Sequence, residues 1–444
     1  MDVKLFNTLT GSIETLKPLH DREVRMYHCG PTVYDYAHIG NFRSFLMNDT
    51  LRRTLTYAGY SVRQMMNITD IDDKIIERSH TEGVSAHELT HRFTDFLLAD
   101  LHHLNIKIPE NLPRATEHVG AMITLIEKLS REGFAYTAND GIYFDVSKSP
   151  HYGALARLDL TASTQSRIED DNSGKKNPRD FALWKFWTSG DGDVVYEATF
   201  GRGRPGWHIE CSAMAMVGLG ETIDIHTGGI DLVFPHHTNE IAQSEAVTGK
   251  PFVNLWIHTE FLMIDGQKMS KSLDNHTTLK TIIDKGYSPL SFRYYMLGSH
   301  YRSKANFTWE ALEGATTALK KLNDHIGIDV GIVNKAYQQR FLEIIVNDLD
   351  TPRALALVWE VAKDTSLSPA DKTATLLDFD RVLGLDLKPR VQEIIPDSIQ
   401  ELIAKRDDAR AKKDWATTDA LRAEIQSQGY EVLDTSDGQR VSKL

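Results

Sequence analysis

The pattern of apolar and polar positions near the start of the chain predicts a β-α-β unit. Val24 to Cys29 reads as a strand, Asn41 to Ala58 has apolar residues at helical spacing, and Ser61 to Met66 reads as a second strand. Ligands of such sheets bind beyond the carboxyl ends of the strands. We therefore expect a binding site bordered by Cys29, His38 and Asn67 to Asp70.

The rest of the pattern extends this unit into an α/β domain followed by helices. The further elements it predicts are helices at Ser85 to Leu104 and Arg114 to Glu132, strands at Gly141 to Val146 and Trp256 to Ile264, a mobile polar segment at Glu169 to Pro178, mostly helix from Tyr287, helix over Pro396 to Gln428, and a small irregular or β end at Gly429 to Lys443. The predicted fold class is α/β, with a Rossmann-type parallel-sheet catalytic domain that carries an insertion and precedes a mainly α-helical C-terminal region.

Composition limits the possible protein classes. The 444 residues are 41% hydrophobic and 25% charged, which is typical of a globular protein with about three domains. The two cysteines make no disulfide framework, and we find no signal peptide or membrane span, so we expect a cytoplasmic protein. A net charge of −12 argues against a general nucleic-acid binder but leaves local basic patches possible. The run Lys405 to Lys413 is one candidate, although alone it is more typical of a solvated helix face.

Two short motifs indicate chemistry on ATP. His38-Ile39-Gly40-Asn41 and Lys268-Met269-Ser270-Lys271-Ser272 each follow a predicted strand. Attack on the α-phosphate builds negative charge, which a histidine, lysines and a helix N-terminus approached through glycine can stabilise. Each motif alone is more often a plain turn or loop. Together, and in this order, they resemble the paired ATP motifs of class I aminoacyl-tRNA synthetases.

A possible metal site is spread over three segments. Cys29 follows the first strand, Cys211 lies in Gly206 to Ala213, and Pro235 would place His236 and Glu240 on one helix face. Two thiolates, an imidazole and a carboxylate are a plausible zinc set. A buried core cysteine and a surface His–Glu pair are equally ordinary readings, and the sequence does not show that Cys29 meets Cys211.

Four segments together resemble the cysteinyl-tRNA synthetase family over nearly the whole chain. They are Cys29 to Asp35, Asn67 to Ile75, Gly206 to Met214 and Phe234 to His237. The resemblance implies that Cys29, Cys211, His236 and Glu240 hold one Zn²⁺ that binds the substrate thiolate. A pocket that judges size alone separates cysteine from serine by only ~1–3 kcal/mol, whereas a metal–thiolate bond differs in kind.

The same resemblance implies the remaining roles and partners. His38, Asn41, Lys268 and Lys271 would be catalytic, Gly40, Asp231 and Lys271 would bind ATP with Mg²⁺, and Thr69 and Trp207 would bind the substrate. The expected partners are L-cysteine, ATP and tRNA(Cys), for a monomer without membrane contact. The domains would be residues 1–115 and 206–262 as the two halves of the catalytic domain, 116–205 as a connective insertion, 263–315 as a stem-contact region with the lysine loop, 316–394 as a helical anticodon-binding bundle, and 395–444 as a small C-terminal domain.

Several positions depart from the family pattern. Asn41 replaces a second histidine, Thr227 stands where glycine is expected, and Thr238 stands where glutamate is expected. The tail Asp434 to Val441 lacks an expected tryptophan. Asparagine can still donate a hydrogen bond, and residue 238 is not a ligand, so we expect activity and an intact metal site.

Three functions remain open at this stage. The leading one is ATP-dependent formation of cysteinyl-adenylate and transfer of cysteine to the 3′ end of tRNA(Cys). A related ligase would transfer cysteine to an amino sugar, as in the mycothiol pathway, but the C-terminal region Arg406 to Arg422 resembles the terminal domain of the synthetase and so favours tRNA. A catalytically silent zinc- or RNA-binding paralogue is the third, and the intact His38, Lys268 and Lys271 speak against it.

Overall fold

The computed structural model describes residues 1–158, 174–268, 276–389, 396–435 and 438–443. Contacts divide the chain into two units, one made of Met1–Ile326 with Gly331–Lys388 and the other of Gly327–Val330 with Pro389–Leu444. Within the described residues, no helix is both long enough and apolar enough to cross a membrane.

The strands of the described chain are mostly short, between two and seven residues. They are β1 Lys4–Asn7, β2 Ser12–Thr15, β3 Glu23–His28, β4 Ser61–Met66, β5 Ala135–Thr137, β6 Gly141–Phe144, β7 Phe181–Phe186, β8 Gly203–Pro205, β9 Ile223–Gly229, β10 Val253–Thr259, β11 Leu262–Ile264, β12 Gln267–Lys268, β13 Ala305–Phe307, β14 Tyr430–Thr435 and β15 Gly438–Lys443.

The α-helices connect and cover these strands. They are α1 Ile39–Tyr57, α2 Asp73–Glu82, α3 Ala86–His103, α4 Val119–Arg131, α5 Trp207–Leu219, α6 Thr238–Thr248, α7 Leu279–Asp284, α8 Pro289–Leu297, α9 Trp309–Asp324, α10 Lys335–Ile345, α11 Thr351–Lys363, α12 Pro369–Leu383, α13 Asp397–Ala411 and α14 Trp415–Ser427. Short 3₁₀ turns lie at Ala115–His118, Val146–Lys148, Ser189–Asp191 and Ile230–Leu232, and a single π turn at Val233–His237 precedes α6.

A four-stranded parallel sheet in the order β10-β9-β3-β4 organises the larger unit. The predicted β-α-β unit is present as β3, α1 and β4, which confirms the α/β fold class. The register pairs Glu23 with Ser61 and His28 with Met66, so the carboxyl ends of these strands lie level. The backbone N–H of Cys29 then donates to Thr227 O, which places Cys29 at that edge.

Two smaller sheets are attached to this core. The strands β5-β6-β7-β8 form an antiparallel sheet in that order, and β12-β11-β13 forms a three-stranded sheet whose last strand, β13, lies in the chain between α8 and α9. Helices α9 to α12 follow it. The largest apolar core joins the parallel sheet to these helices through buried side chains that include Met26, Leu51, Ile225, Phe341 and Phe379.

The prediction of one strand from Trp256 to Ile264 is wrong. β10 ends at Thr259, and the backbone of Glu260 then donates to Tyr301 O, which leads the chain out of the parallel sheet. The next strand, β11, pairs with β13 instead. A continuous apolar run does not mark the point at which a chain changes sheets, because both strands are buried.

The smaller unit contains α13, α14 and the antiparallel hairpin of β14 and β15. Ile399, Leu402, Ile425 and Val432 form its apolar core. The helix predicted over Pro396 to Gln428 is therefore two helices, because Lys413 takes a left-handed φ of 57° and Asp414 caps α14 by accepting from Thr417 N. Residues 169–173 of the predicted mobile segment Glu169 to Pro178 lie outside the described residues.

Candidate active site and metal centre

A cavity of about 330 Å³ lies at the carboxyl edge of the parallel sheet. It is lined by residues from both predicted ATP motifs and from the predicted metal site. The sequence-predicted residues on its wall are Cys29, His38, Gly40, Asn41, Thr69, Trp207, Cys211, Asp231, His236 and Lys268. The structure thus brings together side chains that are separated by up to 239 positions in the chain, from Cys29 to Lys268. Lys271 lies outside the described residues.

His38 occupies the N-cap of α1. Its Nδ1 accepts from the backbone N–H of Asn41 at 3.1 Å, and Asn41 Oδ1 accepts from the backbone N–H of His38 at 3.1 Å, which completes a capping box. In a neutral His38 ring the proton must then sit on Nε2, because Nδ1 is an acceptor. This pair supplies a donor beside the N-terminus of a long helix, where an anion is favoured.

The four predicted metal ligands form one buried cluster. Their ligand atoms all lie within 4.8 Å of one another. Cys29 Sγ is 3.7 Å from Cys211 Sγ and 3.6 Å from Glu240 Oε1, and His236 Nε2 is 3.1 Å from Glu240 Oε1. Cys29 follows β3, Cys211 lies on α5, and Glu240 lies in the first turn of α6. The parallel sheet and the two helices therefore converge on this point.

The charges within the cluster are strongly coupled. The hydrogen bond from Cys29 lowers the pKa of the Cys211 thiol to about 6, against the opposing effect of burial. Burial and the hydrogen bond and charge of Cys211 raise the pKa of Cys29. Burial disfavours the charged His236 ring, but the Cys211 and Glu240 charges outweigh it and raise the pKa of His236 to about 10. Without a cation, Cys29 is thus protonated, and the His236 ring carries a second proton and a positive charge.

These residues fit a divalent metal ion. Replacing the protons of Cys29 and His236 by one doubly charged cation leaves the net charge of the buried cluster unchanged. Two thiolates, an imidazole and a carboxylate are donors that Zn²⁺ accepts in four-coordinate sites. Cys29, Cys211 and His236 also line the cavity, so an ion held by them would face a bound substrate.

A second set of residues overlaps the first and was missed in the sequence. Cys29 and Glu240 also lie within 4.8 Å of ligand atoms of His226 and His237. His226 Nε2 is 3.0 Å from Glu240 Oε2, and His237 Nδ1 is 2.7 Å from His258 Nε2. Neither His226 nor His237 lines the cavity, and this set has only one thiol. It therefore fits better as an outer layer that orients Cys29 and Glu240. The density of histidine between 226 and 258 was the available signal.

The remaining predicted residues are placed around the same cavity. The Trp207 ring stacks on the His236 ring with centroids 4.4 Å apart and planes at 27°. Thr69 Oγ1 accepts from Asn67 Nδ2 at 2.9 Å, which holds it at the end of the segment after β4. Lys268 Nζ lies 4.9 Å from the centre of the Phe261 ring. Asp231 lies in the 3₁₀ turn after β9.

Two residues that depart from the family pattern, Thr227 and Thr238, do not line the cavity. Thr227 is fully buried, and its Oγ1 bonds to His28 Nδ1 at 2.7 Å and to Asn48 Oδ1 at 3.0 Å. Thr238 Oγ1 donates to Val233 O at 2.7 Å, within the turn that leads into α6. Neither side chain narrows the cavity.

Comparisons with known proteins identify two family regions in this chain. The model of the class I (C) tRNA synthetase catalytic domain matches residues 15–317, and that of the cysteinyl-tRNA ligase anticodon binding domain matches residues 394–441. A cysteine–tRNA ligase of Protochlamydia amoebophila is 42% identical over 99% of this chain and 98% of its own length. One of Brachyspira hyodysenteriae is 40% identical over 98% of each chain.

Solved structures share the fold at low sequence identity. Methionyl-tRNA synthetase of Mycobacterium tuberculosis, in complex with methionyl-adenylate, has a TM-score of 0.58 and 16% identity, over 82% of this chain and 90% of its own. LeuRS of Agrobacterium radiobacter K84, in a ternary complex with tRNA and LeuAMS, has a TM-score of 0.59 and 11% identity, over 84% of each chain. At these identities the likeness concerns the fold alone.

Proposed function

The chain belongs to the cysteine–tRNA ligase family, and from that membership we propose how its own residues divide the work of joining L-cysteine to tRNA. The cysteine carboxylate attacks the α-phosphate of ATP, pyrophosphate leaves, and a terminal ribose hydroxyl of the tRNA then takes the cysteinyl group and releases AMP. The observation that carries the proposal is the single cavity lined by His38, Asn41 and Lys268 together with Cys29, Cys211 and His236.

His38 and the start of α1 serve the phosphates in this proposal. His38 Nε2 donates to a phosphate oxygen, since Nδ1 is held by the Asn41 backbone. Asn41 holds the cap with its side-chain oxygen, and Gly40 keeps the first turn of α1 open to the nucleotide. Lys268 and Lys271 stabilise the charge of the leaving pyrophosphate, with Mg²⁺ bound to ATP. Asp231 binds the ribose of the nucleotide at the end of β9.

The two-thiol cluster selects the amino acid. Cys29, Cys211, His236 and Glu240 would hold Zn²⁺, which when bound supplies a Lewis acid with a strong preference for a thiolate over a hydroxyl group. Trp207 covers His236 and forms one side of the space for the cysteine side chain. Thr69, fixed by Asn67, binds the polar end of the substrate.

The acceptor is tRNA(Cys) rather than an amino sugar. The match of residues 394–441 to an anticodon binding domain supports this choice, since a ligase for a small acceptor has no use for such a domain. We further infer a cytoplasmic protein, because the free, buried Cys29 and Cys211 serve as ligands only while reduced. That the protein is a monomer is inferred from the family resemblance alone. Residues 1–115 and 206–262 would be the catalytic halves, 116–205 the insertion, 263–315 the stem-contact region, 316–394 the bundle and 395–444 the C-terminal domain.

Amino-acid-dependent exchange between ATP and pyrophosphate tests the proposal. The assay is run without tRNA for all twenty amino acids, before and after removal of zinc. Exchange with cysteine alone, lost on chelation and restored by Zn²⁺, is the expected result. Absence of exchange with every amino acid would contradict the adenylate step and favour a silent paralogue. Offering tRNA and an amino sugar to the active enzyme then tests the acceptor.

A further inference from the structure

Two aromatic side chains, from the segment before α1 and from α3, are exposed side by side. Tyr36 is 38% exposed and Phe96, on α3, is 40% exposed. Their ring centroids are 4.8 Å apart with planes at 45°, and both rings contact the buried Phe93. Phe93 thus anchors the pair, and its own ring is covered by Arg78 and Arg92, whose guanidinium carbons lie 4.7 and 4.9 Å from the ring centre.

The charges around this aromatic pair are already balanced. Arg78 Nη1 lies 2.7 Å from Asp35 Oδ1, and its Nε lies 2.7 Å from Glu82 Oε1. Arg92 also pairs with Glu82. The patch therefore offers flat, rigid apolar faces within a neutral rim, which suits a base far better than a phosphate.

The position of the pair in the chain ties it to the cavity. Tyr36 lies between two stretches that line the cavity, Gly30 to Thr32 and His38 to Asn41. It is two residues from His38, the cap of α1. Tyr36 therefore belongs to a short segment that lines the cavity at both of its ends.

We propose that Tyr36 and Phe96 form a stacking platform for a base in the single-stranded 3′ end of the tRNA. The inference rests on the proposed function, which requires that end to enter the cavity beside His38. Single-stranded nucleic acid is bound through aromatic side chains on which bases stack, without need of a particular sequence. The platform holds the strand so that its last ribose points into the cavity.

A binding cycle with two tRNAs tests the platform. The dissociation constant is measured for wild type, Tyr36→Ala and Phe96→Ala with intact tRNA and with tRNA trimmed of its single-stranded 3′ end. Each substitution is expected to weaken binding of intact tRNA by about 5- to 150-fold, the range for loss of one stacked base. It is expected to leave binding of trimmed tRNA unchanged, because the partner base is then missing.

Further variants separate stacking from folding and from charge. Tyr36→Leu and Phe96→Leu keep an apolar side chain but lose the flat face, so they should behave like the alanine variants, whereas Tyr36→Phe should keep most of the binding. The ratio between the dissociation constants of variant and wild type should be the same at high salt, since no phosphate charge is involved. Trp187→Ala is the matched control, because Trp187 is 38% exposed under Arg202 but has no cavity-lining neighbour in the sequence.

The outcomes distinguish this inference from the proposed function. Amino-acid-dependent pyrophosphate exchange should remain at the wild-type rate in all five platform variants, since that step needs no tRNA. Suppose that wild type charges tRNA, but Tyr36→Ala and Phe96→Ala weaken the binding of intact and of trimmed tRNA equally, or change the binding of neither. The platform is then wrong. If wild type charges no tRNA, the proposed function itself fails.

Discussion

The indole of Trp207 lies almost parallel to the imidazole of His236, with 4.4 Å between their centres. Trp207 is the first residue of α5 and is 40% exposed, whereas His236 is buried. The contact thus joins the solvent side of the cavity to the two-thiol cluster. The Trp207 side chain therefore contributes little to the apolar core and forms part of the cavity wall.

Trp207→Ala should weaken cysteine binding without unfolding the protein. Loss of an aromatic contact of ~0.5–1.5 kcal/mol predicts a KM for cysteine raised about 2- to 10-fold. The melting temperature should change little, because the side chain is 40% exposed and is not part of the neighbouring apolar cores. Pyrophosphate exchange at varied cysteine concentration measures the first effect, and Trp207→Phe is the control that should recover most of the affinity. An unchanged KM would remove Trp207 from the substrate space.

Cys29→Ser and His236→Ala should each lose bound zinc and cysteine activation together. Either substitution removes one of four donors from a buried cluster. Metal content of the purified protein and pyrophosphate exchange check this result. Lys271→Ala is the control, and it should keep the metal while adenylate formation slows by ~10²–10³-fold. Zinc affinity should fall as pH falls, because protons compete for Cys29 and His236. A Cys29→Ser variant with full zinc would show that the ligand assignment is wrong.

Arg293→Met should destabilise the larger unit by ~1–3 kcal/mol, the usual cost of leaving buried hydrogen-bond partners unsatisfied. The cost of a lone buried charge does not apply, because Arg53 Nε also lies 2.7 Å from Asp49 Oδ2. Arg293 Nη2 lies 2.6 Å from Asp49 Oδ2, and both side chains are at most 1% exposed. Arg293 also donates to the backbone oxygens of Leu383 and Leu104, which joins α8 to α12 and to the end of α3. Urea unfolding measures the loss. The double variant with Asp49→Asn should lose less stability than the sum of the two single variants, because the shared ion pair is lost only once, and an additive result would contradict the pairing.

Asp100→Asn should stabilise the protein at neutral pH and not at acid pH. Burial raises the pKa of Asp100, on α3, to about 6. The folded state therefore holds this proton more tightly than the unfolded chain, so stability falls as pH rises from about 4 to about 6 and then stays level. With the partial exposure of the side chain discounted, we expect a gain of ~1 kcal/mol at pH 7. Melting curves at pH 4 and pH 7 measure the difference, and an equal gain at both pH values would rule out the ionisation.

Deletion of the residues after Pro396 should weaken tRNA charging and leave pyrophosphate exchange intact. The deleted part has its own small core, which includes Ile399 and Ile425. Trp415→Ala is the matching point variant, since its side chain is 61% exposed and stacks on no core residue of that set. It should raise the KM for tRNA alone. Loss of both activities after the deletion would contradict the predicted domain division.

The sequence predicted the sheet edge well because its signals are local. β4 was predicted at its observed bounds, since Gly59 and the polar Asn67 enclose a short segment with apolar residues at Val62, Met65 and Met66. The meeting of Cys29 and Cys211 could not be predicted from spacing. It depends on the β9–β3 register and on the path of α5, both of which are set by tertiary packing.

Other features were missed because their signals are weak or shared with other structures. Hairpin strands β1 and β2 have only four residues each, so alternation could not identify them. Asn41 was read as a donor to ATP, and its role in the cap of α1 went unnoticed, although asparagine three residues after a capping residue was the available sign. The outer histidines His226 and His258 act only through neighbours, which a sequence does not display.

The cap that His38 forms, together with the phosphate contact proposed for it, restricts what can replace it. Serine or aspartate can cap α1 but lack the reach of an imidazole, whereas lysine has the reach and a charge but cannot accept from the Asn41 backbone. Kinetic losses in a His38→Ala enzyme would therefore combine a frayed helix start with a missing phosphate contact. Only a substitution that preserves the cap, such as asparagine, reports the contribution of the ring to catalysis by itself.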